Sequence, residues 1–184
     1  MDMNLFTQKL ITDHPVVLEP VEELPTTAAV LVTLFQRMNR THILLIKRAR
    51  HLRLHAGEIS FPGGVYESKD ETLLMTALRE TREEIEMDIQ PERVMARLPH
   101  VVTRTGFEVN PFVCMLDELP SYKINRAEVE EVLEAPLVPL LTTHHRDVGH
   151  PREKEMVAYW YKKHRIWGAT AKILHQIGRL GSIL

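Results

Sequence analysis

Near the middle of the chain, the run Arg79-Glu80-Thr81-Arg82-Glu83-Glu84-Ile85-Glu86 gathers four carboxylates. At roughly 100° per residue, a helix here brings Glu80, Glu83 and Glu84 within about a third of its circumference. Glu80 and Glu84 stand four apart, a like-charge spacing that costs about 0.2–0.5 kcal/mol. Glu83, Glu84 and Glu86 also fall at the C-terminal end, where the helix dipole disfavours negative charge. A solvated face laced by Arg79–Glu83 and Arg82–Glu86 pairs accounts for two of these acids but leaves Glu80 facing Glu84. A bound hard cation resolves the conflict, because Mg²⁺ is held by a few carboxylates together with substrate phosphate oxygens.

The elements that must position these acids are legible on either side. Upstream, a short apolar piece from Ile59 to Phe61 breaks at Pro62-Gly63-Gly64, and a polar loop follows. Thr72, Leu74, Ala77, Leu78, Thr81 and Ile85 then recur at helical spacing, so one face can be buried. Asp70 or Glu71 offers the N-terminal cap. Ahead of this stretch, Ala28 to Phe35 reads as a buried strand, Gln36 to Thr41 as a turn, and His42 to Ile46 as a second strand forming a hairpin. Arg48, Arg50, His51 and Arg53 make a basic cluster. It reads as a solvated loop offsetting nearby acid or, since Arg offers a planar fork, as a phosphate-capturing segment.

Residues 1–26 read as a short amphipathic helix, through Leu5, Phe6, Leu10 and Ile11, followed by an extended connector from Pro15 to Pro25. Residues 27–184 read as a single domain. Beyond the acidic helix, Arg93 to Thr103 alternates enough for a strand, and Arg104 to Gly106 turns. Val109 to Leu116 forms another strand, with Pro111 pointing to an edge or bulge. Glu128 to Val132 leads into a short helix at Leu137 to Leu141. Thr142 to Glu153 is a polar loop whose His144, His145 and His150 match no familiar zinc spacing. Met156 to Tyr161 is an aromatic strand. Gly168 to Gly181 closes the chain as a helix, with His175 at the core edge. Strands before, between and after two main helices give an α/β sandwich, a mixed sheet with helices on both faces.

Composition narrows the function classes. Apolar residues at 44% and charged residues at 26% of the 184 are those of an ordinary globular protein. A formal charge of −2 makes no electrostatic case for nucleic acid or an anionic membrane. The single Cys114 excludes an intramolecular disulfide and suits a reducing compartment. The acidic start does not read as a signal peptide, and no apolar run approaches the ~20 residues of a membrane span. A cytoplasmic location is therefore expected.

Gly64…Glu71…Arg79-Glu80-Thr81-Arg82-Glu83-Glu84-Ile85-Glu86-Met87 resembles the signature box of the Nudix hydrolases. That box reads Gly, five residues, Glu, seven residues, Arg-Glu, aliphatic, any, Glu-Glu, any, Gly, aliphatic. The chain departs from it in three places. The first spacer is six residues to Glu71, and five only if Asp70 takes that part. Thr81 stands where an aliphatic residue is usual, and Glu86 replaces the glycine that would supply a left-handed helix end. Upstream, Leu44-Leu45-Ile46-Lys47-Arg48-Ala49, then Arg53, Gly57 and Phe61-Pro62-Gly63-Gly64, resembles the extra motif of the coenzyme A pyrophosphatase branch. Only Ile46, in place of a threonine, departs. The segment Arg165 to Leu174 is also similar to the closing helix of that branch.

The resemblance implies a Nudix fold and metal-dependent hydrolysis of the diphosphate in coenzyme A or its acyl derivatives. The products would be adenosine 3′,5′-bisphosphate and 4′-phosphopantetheine or its acyl form. It implies Mg²⁺ or Mn²⁺ held by Glu80, Glu83, Glu84 and the Gly63 carbonyl, offsetting phosphate charge and lowering the pKa of a water. Arg79 would orient neighbouring carboxylates. Arg48 and Arg53, with Gly63 and Gly64, would bind the substrate, and Glu130 and Glu131 are candidates for the general base. Two alternatives remain: another nucleoside diphosphate derivative as substrate, or an inactive nucleotide-binding domain. The sequence leaves open a homodimer and the number of ions.

Overall fold

The computed structural model describes residues 1–18, 26–146 and 156–183. The first helix, α1 (Met3–Asp13), is capped by Asp2, whose carboxylate accepts from the N–H groups of Asn4 (2.9 Å) and Leu5 (3.2 Å). Phe6 and Leu10, one turn apart, are buried as expected, whereas Leu5 and Ile11 stay half exposed. The anchoring stripe is thus narrower than the sequence pattern implied. The connector expected up to Pro25 lies in its later part, from residue 19, outside the described residues.

Strands β1 (Thr27–Arg37) and β2 (Arg40–Arg48) form the expected hairpin. Its turn is shorter than Gln36–Thr41, because Gln36 pairs with Thr41 and Arg37 with Arg40. Only Met38 and Asn39 remain unpaired, both at positive φ (49° and 59°), the conformation that matches a two-residue loop to strand twist. There follow β3 (Ile59–Ser60), β4 (Gly63–Val65) and α2 (Leu73–Ile85), then β5 (Val94–Arg97), β6 (Val101–Val102) and β7 (Glu108–Leu116). The chain continues through β8 (Val129–Pro136), α3 (Leu137–Leu141), β9 (His145–Arg146), β10 (Val157–Tyr161), β11 (His164–Ile166) and α4 (Gly168–Leu180).

The main sheet runs β3-β2-β1-β7-β5, with β4 added to β1, β6 to β7 and β8 to β2. β1 and β7 pair in parallel from Thr27↔Glu108 to Phe35↔Leu116, whereas the hairpin pairing beside it is antiparallel. A smaller sheet runs β11-β10-β9. Alternation along β1 and β2 divides the core in two. Ala29, Leu31, Phe35, Leu44 and Ile46 meet Leu74, Ala77, Leu78 and Ile85 of α2 on one face. Val32, Leu34, Ile43 and Leu45 belong to the core on the other face, with Phe6 and Leu10 of α1, Leu140 of α3 and Leu174 of α4. Each buried Val, Leu, Ile or Phe among them contributes about 1.5–3 kcal/mol by leaving water. The expected mixed sheet with helices on both faces is therefore the observed architecture.

Two strand expectations need correction. Arg93–Thr103 is not one strand but β5 and β6, separated at Leu98-Pro99-His100. Pro111 sits in β7, an interior strand rather than an edge. The strand tolerates it because the Pro111 carbonyl accepts from Leu98 on the side of the β5–β6 break. A residue's N–H and C=O point to the same side of a strand, so the donor that proline lacks would face that break. Cys114 is buried, with its Sγ 3.6 Å from the Thr33 hydroxyl, and burial pushes its thiol up to about 11. That environment suits core filler rather than a nucleophile. The His175 ring stacks on His144 at 5.4 Å. His150 lies outside the described residues. Among the described residues no helix is long and apolar enough to cross a membrane.

Candidate active site

Two glycines bring the loop before α2 against the sheet. The Gly63 N–H donates to Glu84 Oε2 at 3.0 Å, and its φ of +151° is closed to most side chains. A Cβ there would lie 2.3 Å from the Ala29 carbonyl oxygen, so β4 can approach β1 only through glycine. At Gly64 a Cβ would lie 2.4 Å from the Glu80 carboxylate carbon. The space a side chain would fill is the space that Glu80 occupies.

The start of α2 differs from expectation. Neither Asp70 nor Glu71 is the cap. Thr72 is, its hydroxyl accepting from the Met75 N–H at 3.3 Å. Asp70 is instead buried beside the helix and receives Arg79 through two bonds, Nε to Oδ1 at 2.9 Å and Nη2 to Oδ2 at 3.0 Å. The Glu67 N–H and the Thr76 hydroxyl donate to it as well. Burial alone would raise its pKa, but these donors, Arg79 first, hold the carboxyl below the usual carboxylate range. Glu71 is exposed, so Asp70, separated from Gly64 by five residues, takes the acidic place in the box. At the other end Glu86 adopts the left-handed conformation (φ 48°, ψ 32°) and its N–H donates to the Arg82 carbonyl at 2.9 Å. The helix therefore ends as a glycine would end it, at a steric cost that glycine does not bear. The Glu86 carboxylate pairs with Lys123 at 2.9 Å.

The carboxylates converge as a set of three: Glu80, Glu84 and Glu128 each offer an oxygen within 4.8 Å of the others. Glu84 is 1% exposed, accepting from the Gly63 N–H and, at 3.3 Å, from Arg48 Nη1. Burial pushes its pKa up to about 8, with Glu80 and Glu128 adding to the rise against Gly63 and Arg48. Burial likewise raises Glu80, although Arg79 Nη1 donates to it at 2.8 Å. The same Nη1 lies 3.0 Å from Glu83, whose carboxylate is about half exposed at the margin of the set. The Arg79–Glu83 pair is therefore present and belongs to the site.

Glu128 was not singled out by the sequence. It precedes β8, where the strand kinks: Lys47 pairs with Glu131 and Arg48 with Val129, leaving Glu130 as a bulge. Glu130 turns to Lys47 Nζ (2.6 Å) and Arg50 Nε (3.2 Å), and the Lys47 bond above all lowers its pKa. Glu131, opposite Lys47, lies 3.5 Å from His164. Neither is among the converging acids. The available signal was Asn125-Arg126-Ala127-Glu128, an Asx-turn pattern that reverses the chain just before the strand. Of the two basic candidates, Arg48 lies against Glu84 with its Nε buried and without a hydrogen-bond partner. Arg53 is exposed, in the loop between β2 and β3.

A divalent ion fits this set. The donors are hard oxygens, as such ions require. Glu80, Glu84 and Glu128 each offer an oxygen within 4.8 Å of the others, and burial raises the pKa of Glu80 and Glu84, so both carboxylates are costly to ionise without a cation beside them.

The family model for the NUDIX domain matches residues 25–160. The chain is 38% identical over 156 residues to Nudix hydrolase NudL of Photorhabdus laumondii, covering 83% of each chain. It is 38% identical over 154 residues to NudL of Salmonella paratyphi B, covering 82% of this chain and 80% of that one. Among solved structures, a MutT/nudix family protein from Enterococcus faecalis superposes with a TM-score of 0.62 at 16% identity, over 89% of this chain and 65% of that one. A NUDIX hydrolase from Alicyclobacillus acidocaldarius gives 0.56 at 20% identity, over 85% and 92%. The chain belongs to the Nudix hydrolases, and it is a pyrophosphatase of a family that acts with divalent metal ions on small-molecule substrates.

Proposed function

We propose that this enzyme is a cytoplasmic coenzyme A diphosphatase that hydrolyses coenzyme A or its acyl derivatives with Mg²⁺ or Mn²⁺. The observation that carries the reading is the contact of Arg48 with Glu84. It sets the first arginine of the upstream motif directly against the acidic cluster, with part of its side chain still open to solvent and to a phosphate oxygen. Arg53 follows in the loop after β2, exposed and available to a second phosphate.

Glu80, Glu84 and Glu128, together with Glu83 and the Gly63 carbonyl, are the groups that would hold the ion. Once bound, the ion offsets the charge of the diphosphate and lowers the pKa of the attacking water. Arg79 keeps Glu80 and Glu83 in place through its bonds to both. Arg48 orients the phosphate whose bridging bond breaks. The water oxygen bonds to one phosphorus, the bridging oxygen leaves with the other phosphate, and a carboxylate of the cluster receives the water's proton. Ile46, in place of the motif's threonine, favours testing a second substrate class, other nucleoside diphosphate derivatives, in the same assay.

The test is a panel of coenzyme A, acetyl-coenzyme A, ADP-ribose, diadenosine polyphosphates and nucleoside triphosphates, each with Mg²⁺ or Mn²⁺ and with products identified. Release of adenosine 3′,5′-bisphosphate from coenzyme A as the preferred reaction is expected. Preference for ADP-ribose would replace the substrate, and no turnover of any member would remove the enzymatic reading.

A further inference from the structure

The acid that sequence reasoning missed stands on a turn built around one side chain. Asn125 makes a closed set of bonds there. Its N–H donates to the Glu84 carbonyl at 2.9 Å, beside the Lys123 N–H bond to the Ile85 carbonyl at 2.8 Å. Together they satisfy carbonyls that the last turn of α2 would otherwise leave unpaired. Its Oδ1 accepts from the Ala127 N–H at 3.1 Å, and its carbonyl accepts from the N–H groups of Glu128 (3.0 Å) and Val129 (2.9 Å). Its Nδ2 then donates twice, to the Glu83 carbonyl at 3.3 Å and to Glu128 Oε1 at 3.1 Å.

The chemistry selects asparagine. The turn needs an acceptor at Oδ1, and the two oxygens need a donor at Nδ2. Aspartate would supply the first and set a negative charge against Glu128; serine would supply the first without the amide donor. Among the described residues no ion pair holds Glu128, unlike Glu80 and Glu84, each of which meets an arginine. We infer that Asn125 is a positioning residue: its amide holds the Glu128 carboxylate toward Glu80 and Glu84 and ties it to the end of the helix that carries them. This rests on the reading that Glu128 helps to hold the divalent ion.

The test is calorimetric titration of the 184-residue chain with Mn²⁺ alone, on wild type, Asn125→Ser, Glu128→Gln and the double variant. Serine keeps the turn acceptor, so the fold is retained, which circular dichroism checks. Asn125→Ser should weaken Mn²⁺ binding about tenfold, as loss of an outer hydrogen bond to a metal ligand does. The same substitution should cost less in the Glu128→Gln background, where the neutral side chain binds the ion weakly however it is held. Wild-type affinity in Asn125→Ser, with Glu128→Gln impaired, would overturn the positioning role alone. Additive losses in the double variant would also overturn it, by showing that Asn125 acts through the helix end. Unchanged binding in Glu128→Gln would instead remove the reading on which the inference stands.

Discussion

Asp70 and Arg79 meet through two parallel bonds, 2.9 and 3.0 Å, across the start of the helix that carries the acids. Both are largely buried, and the remaining guanidinium nitrogen reaches Glu80 and Glu83. The pair therefore converts the position of a loop into the orientation of two carboxylates. Asp70→Asn should lower unfolding stability by about 3 kcal/mol, because it removes the bidentate partner of a largely buried guanidinium. It should also reduce turnover about 10- to 100-fold, because Arg79 no longer has a fixed direction. Urea denaturation and steady-state kinetics read the two effects separately. Full turnover in a destabilised variant would detach the pair from the site.

The paired glycines should fail in different ways. Gly64→Ala meets only the end of the Glu80 side chain, so the fold should persist while turnover falls about 100-fold from a displaced carboxylate. Gly63→Ala meets the backbone of β1 and holds a φ that alanine resists, so its main loss should be in melting temperature. Equal melting temperatures for the two variants would contradict this division.

The stability of the metal-free protein should depend on pH through Glu84. Its carboxyl titrates near 8 in the fold against an ordinary 4.5, so the folded state holds the extra proton between those values. That contribution is fully present below about 4.5 and is lost as pH rises through 8. A divalent ion takes the proton's place, so the gain in melting temperature on adding Mg²⁺ should be larger at about pH 8.5 than at about pH 6. A gain that is flat with pH would show that Glu84 does not meet the ion.

Three glutamates near the start of β8 should separate sharply. Glu128→Gln should cost turnover at least about 100-fold. Glu130→Gln breaks contacts to Lys47 and Arg50, and Glu131→Gln one to His164, so both should stay near wild type. Loss of activity in Glu131→Gln with none in Glu128→Gln would reverse the assignment.

Arg53→Ala should raise KM for coenzyme A more than for a diphosphate substrate lacking the 3′-phosphate, with kcat little changed. Equal effects on both substrates would remove Arg53 from phosphate recognition.

What the sequence disclosed depended on distance along the chain. The spacing of Glu80 and Glu84, like that of Leu74 and Leu78, is about one helical turn, so periodicity reached both. The hairpin was legible because Arg37 and Arg40 are neighbours. Glu128 was out of reach because its meeting with Glu84 depends on β8 pairing with β2 and on the Glu130 bulge, neither of which leaves a periodic trace. Pro111 misled for a related reason: its exclusion from interior strands is sound, but the break opposite it is a tertiary fact. Asp70 shows a third limit. As a residue type it suits a helix cap, and only the position of Arg79 reveals that it is engaged elsewhere.

The parallel pairing of β1 with β7 has a consequence for how the molecule is made. Arg48, both glycines and the acidic helix all lie within the loop that this pairing closes, and Glu128 lies beyond it. Ordering so long a loop must precede any contact that rewards it, whereas a helix winds locally and fast. A nascent chain therefore possesses its glutamates long before it possesses their convergence. The acidic helix can wind as soon as its own residues are present, whereas the set that Glu128 completes waits on the pairing of β8 with β2.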